Sequence, residues 1–248
     1  TWLRALLGAG ALALIPGARR PVPPESWPQI ALLGFTWIAI PFTLFPIAQQ
    51  WIDSSLAGIL NAAMPLFAAL IAALMLRRLP AAIHVAGLVL GFIGVVLVTL
   101  PSWGEGDNAA LGIMLVLLAT LFYGFSVNIA VPLQQAHGAL PVVLRSQAVA
   151  AVATLPYAMF GLSDSSVDAS GLAAMFVLGV FGTGVALVVM ASLVGRVGAT
   201  RGGVAIYFIP VVAVILGVVF RDEQIAALAV FGMVVVLAGA YLASRRER

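Results

Sequence analysis

The sequence predicts an all-α fold: a polytopic membrane helix bundle, with about nine spans visible of a ten-span plan. Three observations carry that prediction. The 248 residues are 63% hydrophobic and only 8% charged, against about 25% charged in a soluble domain. The apolar residues fall in runs of about 20, the length a helix needs to cross a hydrocarbon core. Two of those runs carry a proline at their centre, Pro65 and Pro210, in matching surroundings 145 residues apart.

In chain order the runs are Trp2–Pro16 (short), Trp27–Ile47, Ile52–Leu76, Ala81–Leu100, Asn108–Val131, Pro141–Leu162, Gly171–Gly195, Gly202–Phe220 and Gln224–Ser244. Short connections such as "GARRPVPPES" and "PSWGEGDN" hold most of the Pro, Gly and charge. The first run lacks the basic start and small-residue cleavage site of a signal peptide and reads as a span whose beginning is missing.

Charge sets the orientation. The formal net charge is +3, too small and too scattered for a nucleic-acid partner. Alternate connections hold Arg19 and Arg20, Arg77 and Arg78, Arg145, Arg196 and Arg201, and finally Arg245, Arg246 and Arg248. The positive-inside rule puts these, and the C-terminus, in the cytoplasm of a bacterial-type inner membrane. The opposite connections hold Asp53, Glu105, Asp107, Asp164, Asp168, Asp222 and Glu223. Only Arg4 and Arg221 depart from the pattern.

An internal repeat underlies the proline pair. At the same offset of 145, Gly34 matches Gly179, Gly58 matches Gly203, Gly87 matches Gly232 and Gly94 matches Gly239. Arg4 and Arg145 match at a slightly smaller offset. The second half holds five spans and the first shows four, so the repeat implies a first helix before residue 1. The two repeats are then 1–104 and 105–248. An odd span number inverts one copy relative to the other, the architecture of many secondary transporters.

The stretches "WLRALLGAGAL", "DSSLAGILNAAMPLFAALIAALML" with "AGLVLGFIGVVLV", and "GATRGGVAIYFIPVVAVILGVVFRDEQIAALAVFGMVVVLAGAYL" are similar to the drug/metabolite transporter superfamily, specifically its EamA-like members. The resemblance covers essentially the whole chain. It implies ten helices in two inverted five-helix repeats and export of amino acids, metabolites or drugs. That family usually has a Glu nine residues before the glycine of each closing helix. Glu223 stands there in the second half and Arg78 in the first. Both positions lie at a membrane face, which points to a helix-end or loop contact.

Candidate site residues follow from the cost of polar groups in lipid. Pro65 and Pro210 each remove a backbone donor and free the carbonyl four residues earlier, so each is a helix-kink candidate. Asn61 lies one turn before Pro65, and Tyr207 three residues before Pro210. Thr120, Tyr123 and Ser126 recur along one stripe, and Trp37 and Gln147 sit within other spans. Asn61, Tyr207, Tyr123, Ser126, Gln147 and Trp37 form the expected substrate-binding set, with helix–helix hydrogen bonds or aromatic packing as the alternative. Gly87, Gly94, Gly232 and Gly239, each pair two turns apart, are expected to serve close helix packing.

Other classes are disfavoured. The chain has no cysteine, which excludes disulfides and thiol chemistry. His84 and His137 stand in no cluster with metal-ligand spacing, and "GTG" (182–184) has no basic partner for a nucleotide. No enzyme activity, cofactor or metal is expected. The expected partners are a small-molecule substrate and the lipid bilayer, with a homodimer admissible. With no Asp, Glu, Lys or His deep in a span, coupling would fall to facilitated exchange or to end groups such as Arg4, Arg145 or Asp53. A lipid-linked-solute flippase or a non-transporting scaffold is the alternative. A lateral opening lined by arginines favours the flippase, and absence of a central cavity favours the scaffold.

Overall fold

A computed structural model describes residues 1–77, 81–102, 108–162, 168–186, 188–190 and 208–243. Tyr207, Gly203, Arg78, Glu105, Asp107, Asp164, Arg196, Arg201, Arg245, Arg246 and Arg248 lie outside the described residues. The fold is an all-α polytopic helical bundle. Among the described residues, six helical runs are long and apolar enough to cross a membrane, and three shorter apolar helices accompany them.

The helices are α1 (Trp2–Ala13), α2 (Trp27–Leu33), α3 (Ile40–Ala48), α4 (Ser54–Asn61), α5 (Met64–Leu76), α6 (Ala82–Thr99), α7 (Ala109–His137), α8 (Ala139–Leu162), α9 (Ala169–Phe176), α10 (Ile209–Arg221) and α11 (Ala227–Ala243). Two wider π-helical segments continue these helices: Gly34–Ala39 joins α2 to α3, and Val177–Val185 extends α9. Each of the nine apolar runs in the sequence has a helix within it. Large apolar side chains such as Val152, Phe160 and Phe220 are exposed, as lipid-facing surfaces require.

Where a bend was expected at Pro65, the helix breaks and restarts. Asn61 ends α4, and Ala62 and Ala63 form a tighter turn through bonds to the carbonyls of Ile59 and Leu60, each 3.0 Å. Pro65 then sits in the first turn of α5. A proline is harmless there, because the first-turn N–H groups have no intrahelical partner. Pro210 occupies the same place in α10.

The offset of 145 reappears in the element boundaries. Helix α5 (Met64–Leu76) becomes α10 (Ile209–Arg221), and Ala82 at the start of α6 becomes Ala227 at the start of α11. Both proline helices end on a non-glycine residue in the left-handed region, Arg77 at φ 49° and Asp222 at φ 53°. Gly34 and Gly179 both lie in π-helical segments.

The chain folds as two compact units, and each draws on both the N-terminal and the C-terminal half of the chain. Unit 1 comprises Thr1–Phe42 and Ile129–Gly202; unit 2 comprises Thr43–Asn128 and Gly203–Arg248. In unit 1, α1 packs on α8 and on the segment Val177–Val185. Ala5, Ile30, Leu33, Val142 and Ala150 are buried there. In unit 2, α4 packs on α10 and α6 packs on α11 around a core that includes Ile59, Leu60, Leu66, Val116 and Val236.

Glycines set the α6–α11 crossing. A Cβ on Gly87 would fall 2.5 Å from the Ala243 nitrogen, and one on Gly94 would fall 2.5 Å from the Val236 nitrogen. From the other side, a Cβ on Gly232 would fall 2.7 Å from the Val98 nitrogen, and one on Gly239 would run into the Gly91 backbone. Backbone therefore lies on backbone along this seam, a contact that only hydrogen side chains permit.

Candidate functional site

Among the described residues, each unit holds a polar cluster inside apolar packing. In unit 2 the cluster centres on Glu223, which follows α10 and is buried. One carboxylate oxygen accepts from the Ser54 N–H (3.1 Å) and the Ser54 hydroxyl (2.5 Å). The other accepts from the Ser55 N–H (2.9 Å) and the Ser55 hydroxyl. The carboxylate therefore caps the N-terminus of α4, where the helix dipole favours negative charge. The exposed Arg221 adds an ion pair, its Nε 3.4 Å from the carboxylate. Gly217 makes room, since a Cβ there would collide with Ser55 and Glu223. Burial pushes the Glu223 carboxyl up, but the Ser54 and Ser55 donors outweigh it and hold it below the ordinary glutamate range. Beside this cap, Gln49, Gln50, Asp53 and Arg221 line an open polar pocket.

The other unit 2 candidates lie along the broken helix and α7. The Asn61 side-chain oxygen is buried with no hydrogen-bond partner among the described residues. Pro65 also removes the N–H that the Asn61 main-chain carbonyl would meet in a continuous helix. Tyr123 stacks on Phe45 with ring centroids 6.0 Å apart. Ser126 is fully buried, and Thr120 turns its hydroxyl back to the Val116 carbonyl at 2.8 Å.

In unit 1, α1 carries Arg4 against the π-helical segment. Its Nε donates to the Thr183 hydroxyl at 2.9 Å, and its guanidinium lies 3.9 Å from the Phe42 ring centroid. Thr183 is buried and donates in turn to the Leu178 carbonyl at 3.0 Å, five residues back. One turn beyond Arg4, Gly8 faces Gln147 of α8. A Cβ on Gly8 would collide with Gln147 Oε1 and lie 3.2 Å from Thr183 Cγ2. Gln147 is fully buried, and neither end of its amide has a hydrogen-bond partner among the described residues. Trp37 is half-buried and packs against the apolar clusters of the same unit.

The structure thus places Gln147 against Gly8, one turn from Arg4, and Trp37 in unit 1, and Asn61, Tyr123 and Ser126 in unit 2. Among the described residues there is no group of three or more His, Asp or Glu side chains able to hold a metal.

The sequence profile of the EamA-like transporter family matches residues 1–100 and 110–245. The chain belongs to that family. An uncharacterised transporter of Archaeoglobus fulgidus is 22% identical over 89% of this chain and 78% of its own length. The uncharacterised transporter YdfC of Bacillus subtilis is 27% identical over 95% of this chain and 78% of its own length. A protein of known crystal structure has the same fold, with a TM-score of 0.63 at 19% identity over 98% of this chain and 85% of that one. This EamA-like transporter is therefore a multi-pass membrane protein.

Three features of the transporter were not foreseen. Thr183 lies inside "GTG", and its one signal in the sequence is a hydroxyl between two glycines in an apolar run. Asn128 donates to the Ala68 carbonyl at 3.0 Å and the Gly124 carbonyl at 2.9 Å. Its signal was an amide two residues past Ser126. The two arginines that break the charge pattern, Arg4 and Arg221, are the two that meet Thr183 and Glu223.

Proposed function

We propose that this membrane transporter is a secondary carrier that exports small organic solutes: amino acids, metabolites or drugs. It works by alternating access between its two inverted repeats, residues 1–104 and 105–248, in a bacterial-type inner membrane with the C-terminus in the cytoplasm. The observation that carries the proposal is a set of buried amide atoms without a hydrogen-bond partner among the described residues: the side-chain oxygen of the half-buried Asn61 and both ends of the fully buried Gln147 amide. A structural amide in lipid would find a neighbouring helix; an amide that serves a passing solute stays unpartnered between visits. Pro65 also withholds the N–H that the Asn61 main-chain carbonyl would meet in a continuous helix. The set of solute contacts proposed is Asn61, Gln147, Trp37, Tyr123, Ser126 and Tyr207.

The test is efflux and uptake of a solute library by full-length protein in vesicles, with Asn61→Ala and Tyr207→Ala run in parallel. Wild type is expected to move a subset of the solutes, and each variant to do so at least about tenfold more slowly. Normal rates in both variants would remove the site assignment; a wild type that moves nothing would remove the carrier reading.

A further inference from the structure

The cluster in unit 1 shows which chemical group it is built to hold. We infer that Arg4, Thr183 and Gln147 form a carboxylate subsite. The hydrogen-bonding valences of the cluster are unevenly met. The Thr183 hydroxyl is used twice, accepting from Arg4 and donating to Leu178. At Gln147, the oxygen is pressed toward Gly8, whose hydrogen occupies the position a Cβ would take. Such Cα–H contacts to oxygen recur between close helices. What is left over is the amide nitrogen: a fully buried donor with no acceptor among the described residues. A spare donor and a guanidinium that meet the same Thr183 and successive turns of α1 call for an occupant with acceptor oxygens and negative charge, and a carboxylate offers two such oxygens in one plane.

The charge around the cluster agrees. Arg145, the other arginine of these packed helices, is held on the carbonyls of Ala18, Arg20 and Pro141. Asp168 is engaged with Ser170 and the Gly171 N–H at the start of α9. His137 is paired with Ser26. Arg4 is thus the charged group placed against Thr183. Gln147 has no exposed surface in this conformation. An occupant reaches it when α1 moves from α8 or from the π-helical segment, and π-helical geometry is a common site of such adjustment. The role of the subsite in handling a solute rests on the carrier reading; its chemistry does not.

The experiment builds the carboxylate in. Gln147→Glu keeps the side-chain length and adds the charge. In the detergent-purified full chain, its melting temperature relative to Gln147→Leu is expected to rise by about 4 °C between pH 3 and pH 6, the window in which a carboxyl held ionised by Arg4 adds stability, and to stay flat above it. Arg4→Gln in the same background is expected to abolish the rise. Wild type is expected to gain about 2 °C in sodium propionate over sodium chloride of equal ionic strength, and to gain nothing in propionamide. The proposal is overturned if Gln147→Glu loses stability as pH rises, if it fails to fold where Gln147→Leu folds, or if its pH response survives without Arg4. Equal effects of propionate and propionamide, or none from either, also overturn it. None of these readouts involves transport, so their failure leaves the carrier reading standing, and a failed solute screen leaves the carboxylate chemistry standing.

Discussion

Glu223 in unit 2 and Gln147 in unit 1 are both buried polar side chains among apolar helices, and they are treated in opposite ways. Glu223 accepts from four donors on Ser54 and Ser55 and pairs with Arg221. Gln147 meets none among the described residues. A buried group with all its valences met contributes to the fold, whereas one left unmet costs about 1–3 kcal/mol. The charge does the structural work at the helix end, where donors are plentiful. The neutral amide sits deeper, where being unpartnered is cheaper than for an ion and leaves it available.

The sharpest way to break this contrast is to remove both groups and compare stability. Glu223→Ala strips the α4 N-terminus of its cap and leaves the Ser54 and Ser55 donors without a protein acceptor. A loss of about 3 kcal/mol is expected, read as a fall of about 9 °C in melting temperature for a chain of this size. Gln147→Leu removes the orphaned polar atoms and keeps the volume, so the melting temperature is expected to hold or rise by about 3 °C while solute transport falls. If Gln147→Leu destabilises as much as Glu223→Ala, then the amide is structural and the contrast fails.

pH sharpens the Glu223 side. Its carboxyl is held below the ordinary glutamate value by the Ser54 and Ser55 donors, against the push of burial. A depressed carboxyl contributes stability that is complete above the unfolded value of about 4.5 and lost as pH falls through the folded value. Glu223→Gln is expected to cost about 2 kcal/mol at pH 7, with a gap to wild type that stays flat down to about pH 5 and closes in more acid solution. Melting curves across pH check this. A gap that narrows between pH 8 and pH 6 would show that Glu223 is not the titrating group.

The same contrast explains what the sequence revealed. Hydropathy gave the spans, because lipid demands continuous apolar helices. The offset of 145 is also the spacing between the bounds of α5 and α10, and it pairs Gly87 and Gly94 of the α6–α11 seam with Gly232 and Gly239. Those features are local or repeated, so periodicity carries them. The Glu223 position was legible as a helix-end contact, but not its partners, since Ser54 is 169 residues away. Arg4 and Thr183 are 179 apart, and no spacing rule joins them. The π-helical segments were also hidden, because an added residue per turn leaves an apolar run equally apolar. At Pro65 the composition gave the disturbance but not its form, since bend and break remove the same hydrogen bond.

The smallest expected effect separates the hydrogen bonds of the Glu223 cap from the turn that presents it. Asp222, between Arg221 and Glu223, is exposed and holds φ at 53°. An L-residue with a Cβ pays roughly 1 kcal/mol for that left-handed conformation, and glycine does not. Asp222→Gly also gives the unfolded chain more freedom, which offsets part of the gain. A net stabilisation of about 0.5 kcal/mol is expected, with the Glu223→Gln penalty unchanged in that background, as additivity requires if turn and cap act independently. If glycine at 222 instead erases the Glu223→Gln penalty, the rigid turn is what aims the carboxylate at Ser54 and Ser55. Arg77, the left-handed residue at the equivalent end of α5, supplies the control. Arg77→Gly relieves the same backbone strain but should leave the Glu223→Gln penalty untouched.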